Sequence, residues 1–180
     1  KPRLGKAPSY LEAGSAPASF TASKFAMLKD AIQKGRPNVR MWIADYVDAV
    51  VMQMEEHRLP APPISPEDYT EKVYSSVDAM LPLRNELVEF FGLMLTALPP
   101  AEAAEVVGDL LERLLPFKFP PVNLSSYADW WFDNFGFFVY ELFLYAVAAH
   151  LRLKQFDGLA VLLGRRFIMP ENVRGRVRAR

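Results

Sequence analysis

The longest apolar run in the chain lies between Trp130 and Leu151, and its apolar residues leave no clear polar face. A helix that is hydrophobic nearly all round sits either in the middle of a bundle or in a membrane. From Phe135 to Leu151 there are 17 residues with one charge, Glu141, which is the lower limit of length for a bilayer crossing. A carboxylate near the middle of such a span costs about 2.5–3.5 kcal/mol, and the leading flank carries Asp129 and Asp133 where Lys or Arg anchors are usual. The pattern therefore predicts a helix over about 126–153, central in a soluble bundle and without membrane contact. Buried there, Glu141 needs a partner such as Arg84, Arg152 or a tyrosine hydroxyl, because an unpaired charge would neutralise or destabilise the fold.

The rest of the chain reads as shorter amphipathic helices separated by proline. Phe25, Leu28 and Ile32 recur at helical spacing from Thr21, and Gly35 with Pro37 supplies the stop. Lys24, Lys29 and Lys34 are expected to face water. Pro37 is expected to open a second helix to His57 with Trp42, Ile43, Tyr46, Val50 and Met54 on one stripe. The proline-rich 59–66 is a rigid connector. Ser65-Pro66-Glu67-Asp68 is a helix start, and the pattern from there to Leu98 is helical, with Pro82 expected to kink or split it. After Pro99-Pro100, residues 101–115 put Val107, Leu110, Leu111 and Leu114 on one face and Glu102, Glu105, Asp109 and Glu112 on the other. Phe117 and Phe119 in the following loop are expected to pin it to the core, and Ser125 or Ser126 to cap the apolar helix. A last short helix runs from Phe156 to Leu163, ahead of an arginine-rich tail.

The fold class predicted is all-α, an irregular bundle of six or seven helices, with 1–19 as a linker or arm, 20–170 as a single helical domain and 171–180 as a basic tail. With 180 residues and 51% hydrophobic content, one domain with a sizeable core is expected. The first residue is Lys1, and no apolar leader follows it, so the chain reads as part of a larger polypeptide. Absence of cysteine excludes disulfide, thiolate-metal and cysteine-nucleophile chemistry and makes a reducing cytoplasm the expected setting.

Zero net charge conceals an asymmetry. Residues 1–40 hold eight Lys/Arg against Glu12 and Asp30, or +6, and residues 165–180 hold six Arg against Glu171, or +5, leaving −11 for 41–164. Basic ends around an acidic body either fold back on it or reach an anionic partner. Arg165, Arg166, Arg174, Arg176, Arg178 and Arg180 are the candidate anion contacts, nucleic acid included.

Candidate chemistry is sparse. The two histidines, His57 and His150, are each preceded three residues earlier by a methionine or valine, not the glutamate of a di-iron Glu-x-x-His pair. His57 reads as a helix-end cap and His150 as a hydrogen-bonded histidine at the bundle edge. Acidic pairs at helical spacing, such as Glu86 with Glu89, lack an adjacent nucleophile, and phosphate-binding glycine loops are absent.

Leu83-Arg84-Asn85-Glu86-Leu87-Val88-Glu89 resembles the Arg-Asn start of the signature of HEPN-type helical ribonucleases. In that family a histidine essential to RNA cleavage follows a few positions later; here Glu89 holds its place, so the resemblance implies a catalytically silent relative. The segment from Phe137 through Pro170 is similar to helical C-terminal regions of multidomain bacterial proteins, some from defence loci.

The function expected is that of a non-enzymatic helical module mediating protein binding, self-association or regulation of flanking domains, with a nucleic-acid-binding or HEPN-like domain as the alternative. Arg84 and Glu141 are the candidate buried ion pair, and Trp42, Trp130 and Trp131 the candidate interface, with core packing as the competing role for each tryptophan. No catalytic residue, metal or cofactor is expected.

Overall fold

In the computed structural model, residues 19–59, 66–121 and 129–167 are described. Among them the protein is an all-α bundle of six α-helices without a strand. The first, α1 (Phe20–Gln33), is capped by Ser19, whose hydroxyl accepts the Ala22 N–H at 3.1 Å. It turns Thr21, Phe25, Leu28 and Ala31 inward. The turn that follows needs two left-handed residues, Gly35 at φ 59° and Asn38 at φ 61°, the residue types that tolerate that conformation best. Helix α2 (Val39–Glu56) therefore begins after Asn38 and not at Pro37, whose fixed φ serves the turn instead.

Helix α3 (Pro66–Ala97) is the spine, 32 residues and about 48 Å long. It runs unbroken through Pro82, so of the two outcomes expected there, a kink or a split, the split does not occur. Pro82 and Asp78, whose carbonyl loses its helical N–H partner there, both lie on the exposed face where water can serve. Helix α4 (Pro100–Leu114) buries Ala103, Ala104, Val107, Gly108, Leu110, Leu111 and Leu114. A 3₁₀ turn over Leu115–Lys118 then inserts Phe117 into the core.

The apolar helix α5 covers Asp133–Arg152, and Asp129–Phe132 before it form a 3₁₀ turn, so its start is later than predicted. The expected serine caps lie outside the described residues. After a tight turn with Lys154 at φ 56°, α6 (Phe156–Gly164) lies against α4.

One core joins all six helices. At its α1–α2–α3 corner the rings of Phe25, Tyr46 and Phe90 stack with centroids 4.9 to 6.4 Å apart. Of the three lysines expected to face water, Lys24 and Lys29 tie α1 to its neighbours, at 3.1 Å from Asp45 and 3.0 Å from Glu89. Lys34 pairs with Asp30 inside α1. The buried hydroxyl of Tyr46 donates to Glu86 Oε1 at 3.1 Å, and burial together with that carboxylate pushes the phenol's pKa up.

Glu86 bears the cost of that position: burial raises its carboxyl pKa above the ordinary 4.5. A raised pKa means that the folded state favours the protonated form, so this contribution to stability is present below 4.5 and is lost as pH rises through the folded value. Glu86→Gln keeps an acceptor for Tyr46 without the charge. It is expected to raise the urea midpoint at neutral pH, with the gain fading as pH falls through the raised folded value and gone below the ordinary 4.5.

Candidate interaction surface

Three polar ties fix α5 on the spine. Near its start, the Asn134 amide donates to Ser76 Oγ at 2.9 Å and to the His57 carbonyl at 3.4 Å, joining α5 to α3 and the end of α2 in the interior. One turn earlier, the Tyr69 hydroxyl donates to the Trp131 carbonyl at 2.8 Å, and burial pushes the Tyr69 pKa up to about 12. Further along, Arg84 Nη1 lies 2.6 Å from Glu141 Oε1, with both side chains largely covered. Arg84 also donates to Asn85 Oδ1 at 3.0 Å and stands 5.7 Å from the Tyr145 ring. Residue numbers rise together on the two helices, so α3 and α5 run parallel.

These ties choose the rotation of α5. Phe135, Phe138, Val139, Leu142, Ala146 and His150 face the core. At 100° per residue the opposite face holds Asp133, Phe137, Tyr140, Leu144, Ala148 and Leu151, all exposed. The four large apolar residues among them are open to solvent to 52%, 62%, 48% and 50% for Phe137, Tyr140, Leu144 and Leu151. The helix expected at the centre of the bundle is thus packed on one side only. By length and composition, Trp130–Arg152 is the one helix among the described residues that could cross a membrane. Leu153, Phe156 and Leu163 continue the exposed apolar surface past the end of α5.

The predicted interface tryptophans divide. Trp130 is exposed, edge-on to Tyr69 at 4.7 Å, beside a shallow pocket of about 280 Å³ formed with Thr70, Val73, Tyr74 and Asp133. Trp131 and Trp42 are half-buried, Trp42 against the core.

Arg165 finds its anions inside the chain. Its guanidinium reaches Glu105 at 2.7 Å, Asp109 at 2.6 Å and Glu112 at 2.5 Å, across the acidic face of α4. Gly108 makes this possible, since a Cβ there would fall 2.7 Å from Arg165 Cδ. Arg166 is exposed, and Arg174, Arg176, Arg178 and Arg180 lie outside the described residues. The same acidic face borders a groove of about 550 Å³ against α2, floored by Ile43, Val47 and Val106 and closed over by the Arg40–Glu102 pair at 2.8 Å.

The HEPN-like residues diverge. Arg84 points at α5, whereas Glu89, five residues and 140° further round α3, meets Lys29 of α1. His150 is fully buried and not at the edge, with Nδ1 2.8 Å from its own helix's Ala146 carbonyl. Its ring packs beside Gly158, and that glycine permits the close approach of α6 to α4, since a Cβ there would meet Pro100 O at 2.7 Å. His57 ends α2 and offers its carbonyl to Asn134 and Ser76, and burial lowers its pKa. No cluster of three metal-ligating side chains occurs among the described residues.

What sequence reasoning missed is the open face of α5. The charges do not mark it: at 100° per residue Arg152 repeats the angle of the buried Asn134 and Glu141 lies about 20° from it, so period and charge together leave the open side unassigned. Comparison with family models, curated proteins and solved structures finds no match for this chain.

Two outcomes check this geometry. Arg84→Met should cost about 1.5–3 kcal/mol by stranding a largely covered carboxylate, and Arg84→Met combined with Glu141→Met should recover most of it in the same denaturation assay. Gly108→Ala should forfeit the ~1 kcal/mol helix-propensity gain of alanine while Arg165 is present and regain it in an Arg165→Ala background, a coupling that a double-mutant cycle reads directly.

Proposed function

We propose that this chain is a non-enzymatic helical interaction module that docks through the outer face of α5. The observation that carries the reading is the row of Phe137, Tyr140, Leu144 and Leu151, each about half exposed or more, at helical spacing on a helix whose other face is packed in the core. Scattered exposed apolar residues are ordinary, but a contiguous row of this kind marks a contact surface. Aromatic side chains are the residues that contribute most when such a surface loses water.

The other half of α5 supports docking over membrane insertion. It places Asn134 and His150 among core side chains and holds Glu141 against Arg84, groups that would all be costly in lipid. The ionisable side chains that border the groove between α2 and α4 are engaged with one another or with Asp48 and Arg165, and no nucleophile or histidine stands among them, which favours binding over catalysis. With Arg165 engaged by α4, the nucleic-acid alternative loses the basic residue nearest the folded body. Absence of cysteine fits a cytoplasmic setting.

The same absence supplies the test. Leu144→Cys and the exposed control Ser23→Cys each give a single thiol, whose labelling rate in intact cells reports coverage. Leu144→Cys is expected to react at least about tenfold more slowly than Ser23→Cys in cells, and equally after denaturation, tenfold being the resolution of about 1.4 kcal/mol in coverage. Equal rates in cells would show the face to be bare and would overturn the proposal.

A further inference from the structure

The outer face of α5 is complementary to itself when turned end for end, and the inference that follows rests on the docking role proposed above. We infer that the occupant of this face is a second copy of the chain, the two α5 helices packing antiparallel about a two-fold axis at Leu144.

The side chains pair large against small only in that arrangement. With Leu144 on the axis, Phe137 of one copy lies over Leu151 of the other, and Tyr140 lies over Ala148, a ring against a methyl. A parallel pairing would set Tyr140 against Tyr140 and Ala148 against Ala148, crowding one level and leaving a gap at the next. A two-fold axis makes both halves of the contact identical, as in most homodimers.

Charge agrees with the packing. The stripe begins at Asp133 and the helix ends at Arg152 and Lys154, all exposed. Antiparallel packing brings the acidic end of each helix to the basic end of its mate, and opposes the helix dipoles favourably as well. A membrane surface offers no such match, because Asp133 would face anionic headgroups.

Size sets the strength. Four side chains exposed to this degree offer on the order of 400 Å² per copy, about half of a standard interface's share per partner. Flanking Tyr145, Ala148 and Leu153 add to it. The dimer is therefore expected to dissociate on the order of micromolar concentrations, not nanomolar.

Cross-linking of the purified 180-residue chain tests both the partner and its direction. Under mild oxidation Leu144→Cys should form a disulfide-linked dimer, since the two positions meet on the axis within disulfide reach. Phe137→Cys by itself should not link, its copies being about 21 Å apart along the helices, whereas a mixture of Phe137→Cys and Leu151→Cys should. Light scattering should show dimer at about 100 µM. Leu144→Lys should be a monomer with an unchanged helical circular dichroism spectrum. Asp133→Lys should weaken the dimer, and added Lys154→Asp should restore it.

Linking of Phe137→Cys to itself would overturn the antiparallel arrangement. A monomer at 100 µM whose Leu144→Cys is still protected in cells would overturn the second copy while leaving the docking surface intact. Monomer with Leu144→Cys fully reactive would remove both. Binding of monomer to phosphatidylserine vesicles through the same face would replace the copy with a membrane.

Discussion

The rotation of α5 about its own axis decides what this protein shows to its surroundings, and that rotation is set by polar groups. Hydrophobic burial is non-directional, and a helix apolar on nearly every side gains similar amounts from turning any of them inward. Leaving a buried amide or carboxylate without a partner costs about 1–3 kcal/mol, which is enough to separate the alternatives. Asn134 held by Ser76 and the His57 carbonyl at one end, and Glu141 held by Arg84 in the middle, leave one solution. The outer stripe follows from it.

That solution explains what was and was not legible in the sequence. Helix α4 reads correctly in its faces and to within one residue at each end, because its leucines and its acids occupy opposite faces and the period states the orientation. Helix α5 reads correctly as a helix, but period alone could not tell its inside from its outside. Arg84 was among the candidate partners of Glu141 on chemical need alone, and the structure brings the two together. The turn at Gly35 was read, but the start of α2 was placed two residues early, because proline at a helix start is so common that it masked the left-handed asparagine beside it. At Pro82 the sequence left a kink or a split open, and the helix continues because the carbonyl that the proline strands can face water.

Charge behaved in the same way. The excess of acid in the middle of the chain and of arginine at its end was visible in composition, and it allowed two outcomes, folding back or reaching out. For Arg165 the deciding feature was Gly108, a residue with no charge, which leaves room for the arginine stem to lie on α4 and place its guanidinium among three carboxylates. A missing side chain on one helix thus determines where a charge on another segment ends, a relation with no local sequence signature.

The exposed stripe on α5 differs from every other feature here in having no role within the fold. Phe25, Phe90 and Phe135 would leave cavities if truncated, because all are fully enclosed. Phe137, Tyr140, Leu144 and Leu151 sit about half or more in water, so polar residues at these positions would satisfy α5 equally well and would lower the risk of non-specific association. Folding does not require them to be apolar. The helix already has its rotation from Asn134 and Glu141, and its core face from Phe138, Leu142 and Ala146. A surface whose composition is costly to an isolated domain and unnecessary to its core is accounted for by what covers it, and a row repeated at helical spacing is matched most simply by another helix.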